Sequence, residues 1–131
     1  MKPIDRPATI QKTKHFLQDY PRWQSQAAGF SQLLAGHSNV QLTKQLARAD
    51  YECQLRLKTI TATQSLGPTM ALYADLLTDR FIKQLTVKQT CVDLTSKQKY
   101  GFITERSCNR YQNKALLNFA YTCPRNLLVN S

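Results

Sequence analysis

The stretch GFITERSCNRYQNKALLNFA, residues 101–120, combines a helix start with two contrasting helical faces. Thr104 is suited to be an N-cap, because its hydroxyl oxygen can accept a hydrogen bond from a backbone N–H of the first turn. Four apolar or aromatic residues then follow at steps of three or four: Cys108, Tyr111, Ala115 and Phe119. The stretch therefore predicts a helix over 104–121 that buries this face in a core.

The opposite face of the same helix carries two arginines and two asparagines: Arg106, Asn109, Arg110 and Asn113. Arginine can donate two hydrogen bonds to guanine O6 and N7, and asparagine can pair with adenine N6 and N7. Both residue types also bind phosphates. A solvated polar face would show the same pattern, but this composition near a helix N-terminus is typical of a helix that reads the DNA major groove.

The charge balance favours a polyanionic partner. The chain has 18 lysines and arginines against 8 acidic residues, a net charge of +10. Between residues 83 and 114, seven basic residues face two acidic ones, a local excess of five. We predict phosphate contacts from four lysines in this segment: Lys88, Lys97, Lys99 and Lys114.

The chain is predicted to be all-α. Only 4 glycines and 5 prolines interrupt 131 residues that are rich in helix-forming side chains, and no useful strand-like alternation competes. A corner is expected at YPRWQ (20–24) and breaks at AGHSN (35–39) and SLGP (65–68). The first predicted helix starts at Thr9, which is suited to be its N-cap, and runs to Asp19. The others are predicted over 23–34, 42–60, 68–83, 86–94 and 104–121.

The clearest periodic signal lies in the helix over 42–60. Six residues share one face: Leu42, Leu46, Ala49, Cys53, Leu57 and Ile60. The pattern favours a single long core helix, with a seam that pairs two chains into a homodimer as the alternative. We divide the sequence into an N-terminal helical region, 1–64, which would carry this face, and a helix-turn-helix DNA-binding region, 65–131.

Several function classes lack their sequence signatures. His15 and His37 are the only histidines, and neither stands in a metal-ligand or nucleophile motif. There is no glycine-rich phosphate loop, and the few acidic residues argue against a carboxylate metal site or an acid–base pair. We therefore predict that the chain is not an enzyme and uses no cofactor and no metal.

The cysteines and the hydropathy pattern indicate a cytoplasmic protein without a membrane partner. Four cysteines are too far apart for a zinc site or a disulfide scaffold and are predicted to be reduced, mostly buried thiols: Cys53, Cys91, Cys108 and Cys123. The first residues, MKPIDRPATIQKTKHF, lack a continuous apolar signal core. No run of about 18 apolar residues occurs.

Three stretches resemble the ArpU-type phage late-gene transcriptional regulators, which are related to RinA-type activators. They are TKHFLQDYPRW at 13–23, YADLLTDRFIKQLT at 73–86, and the stretch at 101–120. The last is the most specific, and it matches the family pattern at Gly101, Phe102, Lys114, Ala115, Leu116, Leu117, Phe119 and Ala120. The resemblance extends loosely over nearly the whole chain.

The resemblance implies a C-terminal region similar to sigma factor region 4. Its helix-turn-helix would read phage promoter DNA and activate late genes for packaging, structure or lysis in the cytoplasm of a bacterial host. Two positions depart from the family: Ile103 stands where a serine is often found, and TSKQK at 95–99 lengthens the connection before Gly101.

Two other functions remain open from the sequence. One is an adaptor that binds host RNA polymerase through the helix over 42–60 without reading a promoter, and the other is a small terminase subunit. Strong salt dependence together with a sequence-specific footprint would favour the regulator. Salt-insensitive polymerase binding without DNA would favour the adaptor.

Overall fold

Six α-helices account for most of residues 3–131, the range that the computed structural model describes. They are α1 (Arg6–Gln18), α2 (Tyr20–Leu34), α3 (Val40–Thr61), α4 (Pro68–Leu77), α5 (Val87–Ser96) and α6 (Glu105–Thr122). A 3-10 turn over Gln64–Leu66 precedes α4, and a π-helical turn over Thr78–Ile82 follows it. The predicted all-α class is confirmed, since the described residues form no strand and only one isolated β-bridge, between Ile4 and Asn130.

α6 is the helix against which α1, α4 and α5 all pack. Its first turn is capped as predicted, with the Ser107 amide donating a hydrogen bond to the Thr104 hydroxyl at 3.1 Å. The predicted inward face is confirmed by four positions, three buried and the last half-buried: Cys108, Ala115, Phe119 and Tyr111. Phe119 also meets Phe16 of α1, with ring centroids 6.0 Å apart.

The main core draws on both of the regions that the sequence suggested. Leu17 from α1 and Ile60 from α3 pack in the same cluster as Leu116 of α6. The segment after α6 returns to α1, where the Val129 amide donates a hydrogen bond to the Thr9 hydroxyl at 2.9 Å. The division at residue 64 thus separates two stretches of sequence that share one core.

α2 and α3 pack against each other as a helical hairpin with a small core cluster of its own. Trp23 of α2 lies against Ala49 and Cys53 of α3 in this cluster, while Ile60, at the other end of α3, belongs to the main core. The remaining positions of the predicted stripe are half-buried: Leu42, Leu46 and Leu57. Packing within the chain therefore uses half of the six stripe residues as buried core positions.

An ion-pair network, buried at Glu52 and Arg56 and exposed at Arg125, joins α1, α3 and the C-terminal segment. The Glu52 carboxylate accepts a hydrogen bond from Arg56 at 2.8 Å and another from Arg125 at 2.8 Å. Arg56 also donates to the Phe16 carbonyl at 2.9 Å, and its guanidinium lies 3.8 Å from the Phe16 ring centroid. Burial raises the pKa of Glu52, but the two arginines outweigh this effect and hold it below its ordinary value.

Two helix starts differ from the predictions. Thr9 is not the N-cap of α1; the Asp5 carboxylate takes that role, accepting a hydrogen bond from a first-turn amide at 3.0 Å. Thr9 lies within α1 and is buried. Its hydroxyl accepts a hydrogen bond from the Val129 amide, 120 residues away. Similarly, α2 begins at Tyr20 rather than at Trp23, because the proline after Tyr20 fits the first helical turn.

Candidate nucleic-acid interface

All four residues predicted to read bases lie on the exposed surface of α6: Arg106, Asn109, Arg110 and Asn113. Their spacing of three and four residues places them on one face of the helix. The other side of α6 is anchored by fully buried residues such as Cys108 and Leu116. The exposed side chains therefore project from a helix whose position is fixed by the core.

The positive charges around α6 differ in their surroundings. Within residues 3–131, no carboxylate oxygen lies within 4.0 Å of Lys88, Arg106, Arg110 or Lys114. In contrast, Lys97 Nζ lies 3.8 Å from Asp93, and Lys99 Nζ lies 3.7 Å from Asp75 of α4. The Lys99 side chain is 59% exposed, and ion pairs at a protein surface are weak, so Lys99 can exchange its carboxylate for a phosphate. The Lys97 side chain is only 32% exposed, and its carboxylate partner is a buried oxygen of Asp93.

α5 precedes α6 in the place that the first helix of a helix-turn-helix would take. A capping box starts it, in which Thr86 and Gln89 exchange side-chain-to-backbone hydrogen bonds of 3.1 and 2.8 Å. α5 ends at residue 96 and α6 begins at residue 105, so eight residues, 97–104, connect them. This connection is longer than the turn of about 3–4 residues that is usual in the motif.

The end of this connection is fixed to the core. Gly101 has a φ of +73°, a conformation that favours glycine, and it turns the chain toward α6. Ile103 is buried, and its amide donates a hydrogen bond to the Thr95 hydroxyl at 3.0 Å. Ile103 thus supplies a core contact where the resembling family often has a serine, and Thr104 supplies the helix cap instead.

An open apolar groove of about 610 Å³ lies between α5 and residues 102–105. Val92 and Phe102 line it and are strongly exposed, at 71% and 79%. Lys88 and Glu105, the first residue of α6, line the same groove, so the structure brings Lys88 to the start of the predicted reading helix. No helical period predicted this groove, because Phe102 lies in the connection 97–104, where the adjacent Ile103 is buried instead.

Two carboxyl groups meet between the π-helical turn and α5. Asp79 is 2% exposed, and the Oδ2 atoms of both Asp79 and Asp93 are buried and, with both carboxyl groups ionised, lack a hydrogen-bond donor among residues 3–131, so a proton on Asp79 supplies the missing donor. Burial, together with the hydrogen bond and negative charge of Asp93, raises the pKa of Asp79 to about 7. The hydrogen bond from Asp79 lowers the pKa of Asp93. The two carboxyl groups therefore hold one proton between them up to about neutral pH.

The cysteines are core residues. All four are free and buried, which confirms the prediction of reduced, buried thiols. Burial raises the pKa of Cys108 to about 11, so its thiol stays protonated at neutral pH and is a poor nucleophile. The part of the chain that the structure describes holds no group of three or more histidine, cysteine or acidic side chains that could bind a metal ion.

No protein-family model, curated protein or solved structure matches the chain. The resemblance to the ArpU-type regulators thus stays an expectation drawn from the residues at 13–23, 73–86 and 101–120. As for membranes, none of the helices formed by residues 3–131 combines the length and the apolar character needed to cross a lipid bilayer.

Proposed function

We propose that this protein binds double-stranded DNA sequence-specifically and activates transcription, in the manner of the phage late-gene regulators that it resembles. In this proposal α5 and α6 act as a helix-turn-helix similar to that of sigma factor region 4. α6 enters the major groove, and its exposed residues contact base edges or the adjacent phosphates: Arg106, Asn109, Arg110 and Asn113.

The observation that carries the proposal is the division of α6 into two faces. One face packs into the core, while the other presents the four polar side chains to solvent in the N-terminal half of the helix. Arg106 and Arg110 have no carboxylate within 4.0 Å among the described residues, so their guanidinium groups remain available to an external acceptor. Guanine O6 and N7 match the paired donors of such a group.

The surrounding lysines suit the phosphate backbone. Lys88 lies on α5 and lines the groove that reaches the start of α6, Lys114 lies on α6 itself, and Lys97 and Lys99 lie in the connection between the helices. Phosphate contacts of this kind fix the orientation of a protein on the duplex without reading sequence. They also make binding strongly dependent on salt, since each neutralised phosphate releases counterions.

Selection of bound duplexes from a random pool tests the proposal. We expect a defined site and a footprint, with affinity that falls steeply as salt concentration rises. Salt-insensitive binding to RNA polymerase without any DNA binding would replace the regulator with an adaptor. If no duplex is enriched and RNA polymerase does not bind either, both the regulator and the adaptor are wrong.

Two substitutions distinguish base reading from phosphate attraction. Arg110→Ala should cost roughly 1–3 kcal/mol on the selected site and relax the choice of base at one position. Lys99→Ala should weaken binding to all sequences about equally and reduce the magnitude of the salt slope by about one. Lys12→Ala removes the same charge from an exposed position on α1, outside the basic segment 83–114, and should change neither quantity. Equal losses for Arg110→Ala on the selected and a scrambled duplex would make Arg110 a phosphate contact.

A further inference from the structure

Val92 and Phe102 form an apolar surface that the fold does not cover. They are exposed at 71% and 79%, and both line the open groove between α5 and the start of α6. Two large apolar side chains that are exposed side by side commonly mark a contact site, because burying them against a partner releases water from apolar surface.

The backbone holds Phe102 outward. On one side Gly101 turns the chain with a positive φ, and on the other Ile103 is buried and bonded to Thr95 at 3.0 Å. Thr104 then caps α6. Because Ile103 takes the inward position, Phe102 cannot enter the core without breaking the hydrogen bond and the cap that follow it.

The groove is continuous with the proposed DNA interface. Glu105 begins α6 and lines the groove, and the proposed base contacts start at the next residue, Arg106. Lys88, a proposed phosphate contact without a carboxylate within 4.0 Å among the described residues, lines the groove from α5. The occupant should therefore offer an apolar group within a few ångströms of negative charge.

We propose that Phe102, supported by Val92, contacts the C5-methyl group of a thymine in the major groove, beside the bases that α6 reads. This inference rests on the proposed function. Thymine is the base that presents a methyl group in the major groove, and phenylalanine is among the side chains that contact it. The phosphate of the same strand is then positioned to meet Lys88. The preferred site thus contains a thymine at a fixed position next to the bases read by Arg106 and Asn109.

Deoxyuridine provides the sharpest test, because it lacks only the methyl group and keeps the base pair and the O4 acceptor. Each thymine in the selected site is replaced singly by deoxyuridine, and affinity is measured for the wild type and for Phe102→Ala. One replacement should weaken wild-type binding about fourfold, the value expected for one buried methyl-sized group. The same replacement should leave the affinity of Phe102→Ala unchanged, and a repeated selection with this variant should lose the thymine.

Controls separate this inference from the proposed function. Tyr121→Ala removes another exposed aromatic side chain, at the opposite end of α6, and should retain the sensitivity to deoxyuridine. Because Phe102 is so exposed, its substitution should leave the thermal midpoint of unfolding unchanged.

If Arg110→Ala relaxes base choice but no deoxyuridine affects the wild type, DNA reading stands and the methyl contact is wrong. Polymerase binding that depends on Phe102 while DNA affinity does not would assign the groove to a protein partner. A protein that binds no duplex refutes both proposals.

Discussion

Replacing Asp79 by asparagine should remove a pH dependence of stability that originates in one buried carboxyl group. In the folded protein the pKa of Asp79 is raised to about 7 by burial and by the hydrogen bond and charge of Asp93, whereas its ordinary value is 3.8. Between these two values the folded state binds one proton more than the unfolded state. The free energy of unfolding therefore falls as pH rises through this window, and the group's stabilising effect is complete only below about pH 4.

The expected magnitude follows from the width of the window. One proton corresponds to a slope of about 1.4 kcal/mol per pH unit, so the interval from 3.8 to about 7 amounts to at most about 4 kcal/mol. The groups that face Asp79 are Asp93 from α5, Lys97 from the residue after α5, Lys83 from the residue after the π-helical turn, and Cys108 from α6. The two lysines lower the pKa of Asp79 and are outweighed by burial and by Asp93.

Chemical denaturation at a series of pH values between 4 and 8 measures the effect. Asp79→Asn keeps the shape of the side chain, and its amide can donate to the Asp93 carboxylate without titrating. The stability of the variant relative to the wild type should rise by up to about 4 kcal/mol from pH 4 to pH 8. Asp50→Asn, which removes an exposed carboxylate from α3, should show no comparable rise. Parallel pH profiles for the wild type and Asp79→Asn would refute the assignment of the proton to this pair.

Three further predictions concern the core and the oligomeric state. Glu52→Ala leaves the buried Arg56 guanidinium without its carboxylate and should lower the free energy of unfolding by about 3–5 kcal/mol. Denaturant titrations measure this change, and a decrease below about 1 kcal/mol would contradict a stabilising role of the ion pairs. Cys108 should react with a thiol reagent at neutral pH only as fast as the protein unfolds, and reaction in the folded state would contradict its burial. Sedimentation at micromolar concentration should show a monomer, because α3 buries Ala49 and Cys53 against α2; a dimer that Leu46→Glu dissociates would restore the intermolecular seam.

The local sequence was sufficient to predict the helices and the two faces of α6. Spacings of three and four residues and the cap at Thr104 are properties of neighbouring residues, so they can be read without knowing which helix packs against which. The exposure of Arg106 and Arg110 and the burial of Cys108 follow from the same periodicity. The start of α1 was missed because both Asp5 and Thr9 are suitable caps, and the contact that draws Thr9 inward comes from Val129.

Only the tertiary structure decided which distant residues meet. Asp79 lies in the π-helical turn and Asp93 on α5. Val92 and Phe102 are separated by the end of α5 and most of the connection. No helical period therefore relates the members of either pair. The Glu52–Arg125 pair joins positions 73 residues apart. Periodicity determines which side of a helix is apolar, but the choice of the helix that covers it depends on how all the helices fit together in one core.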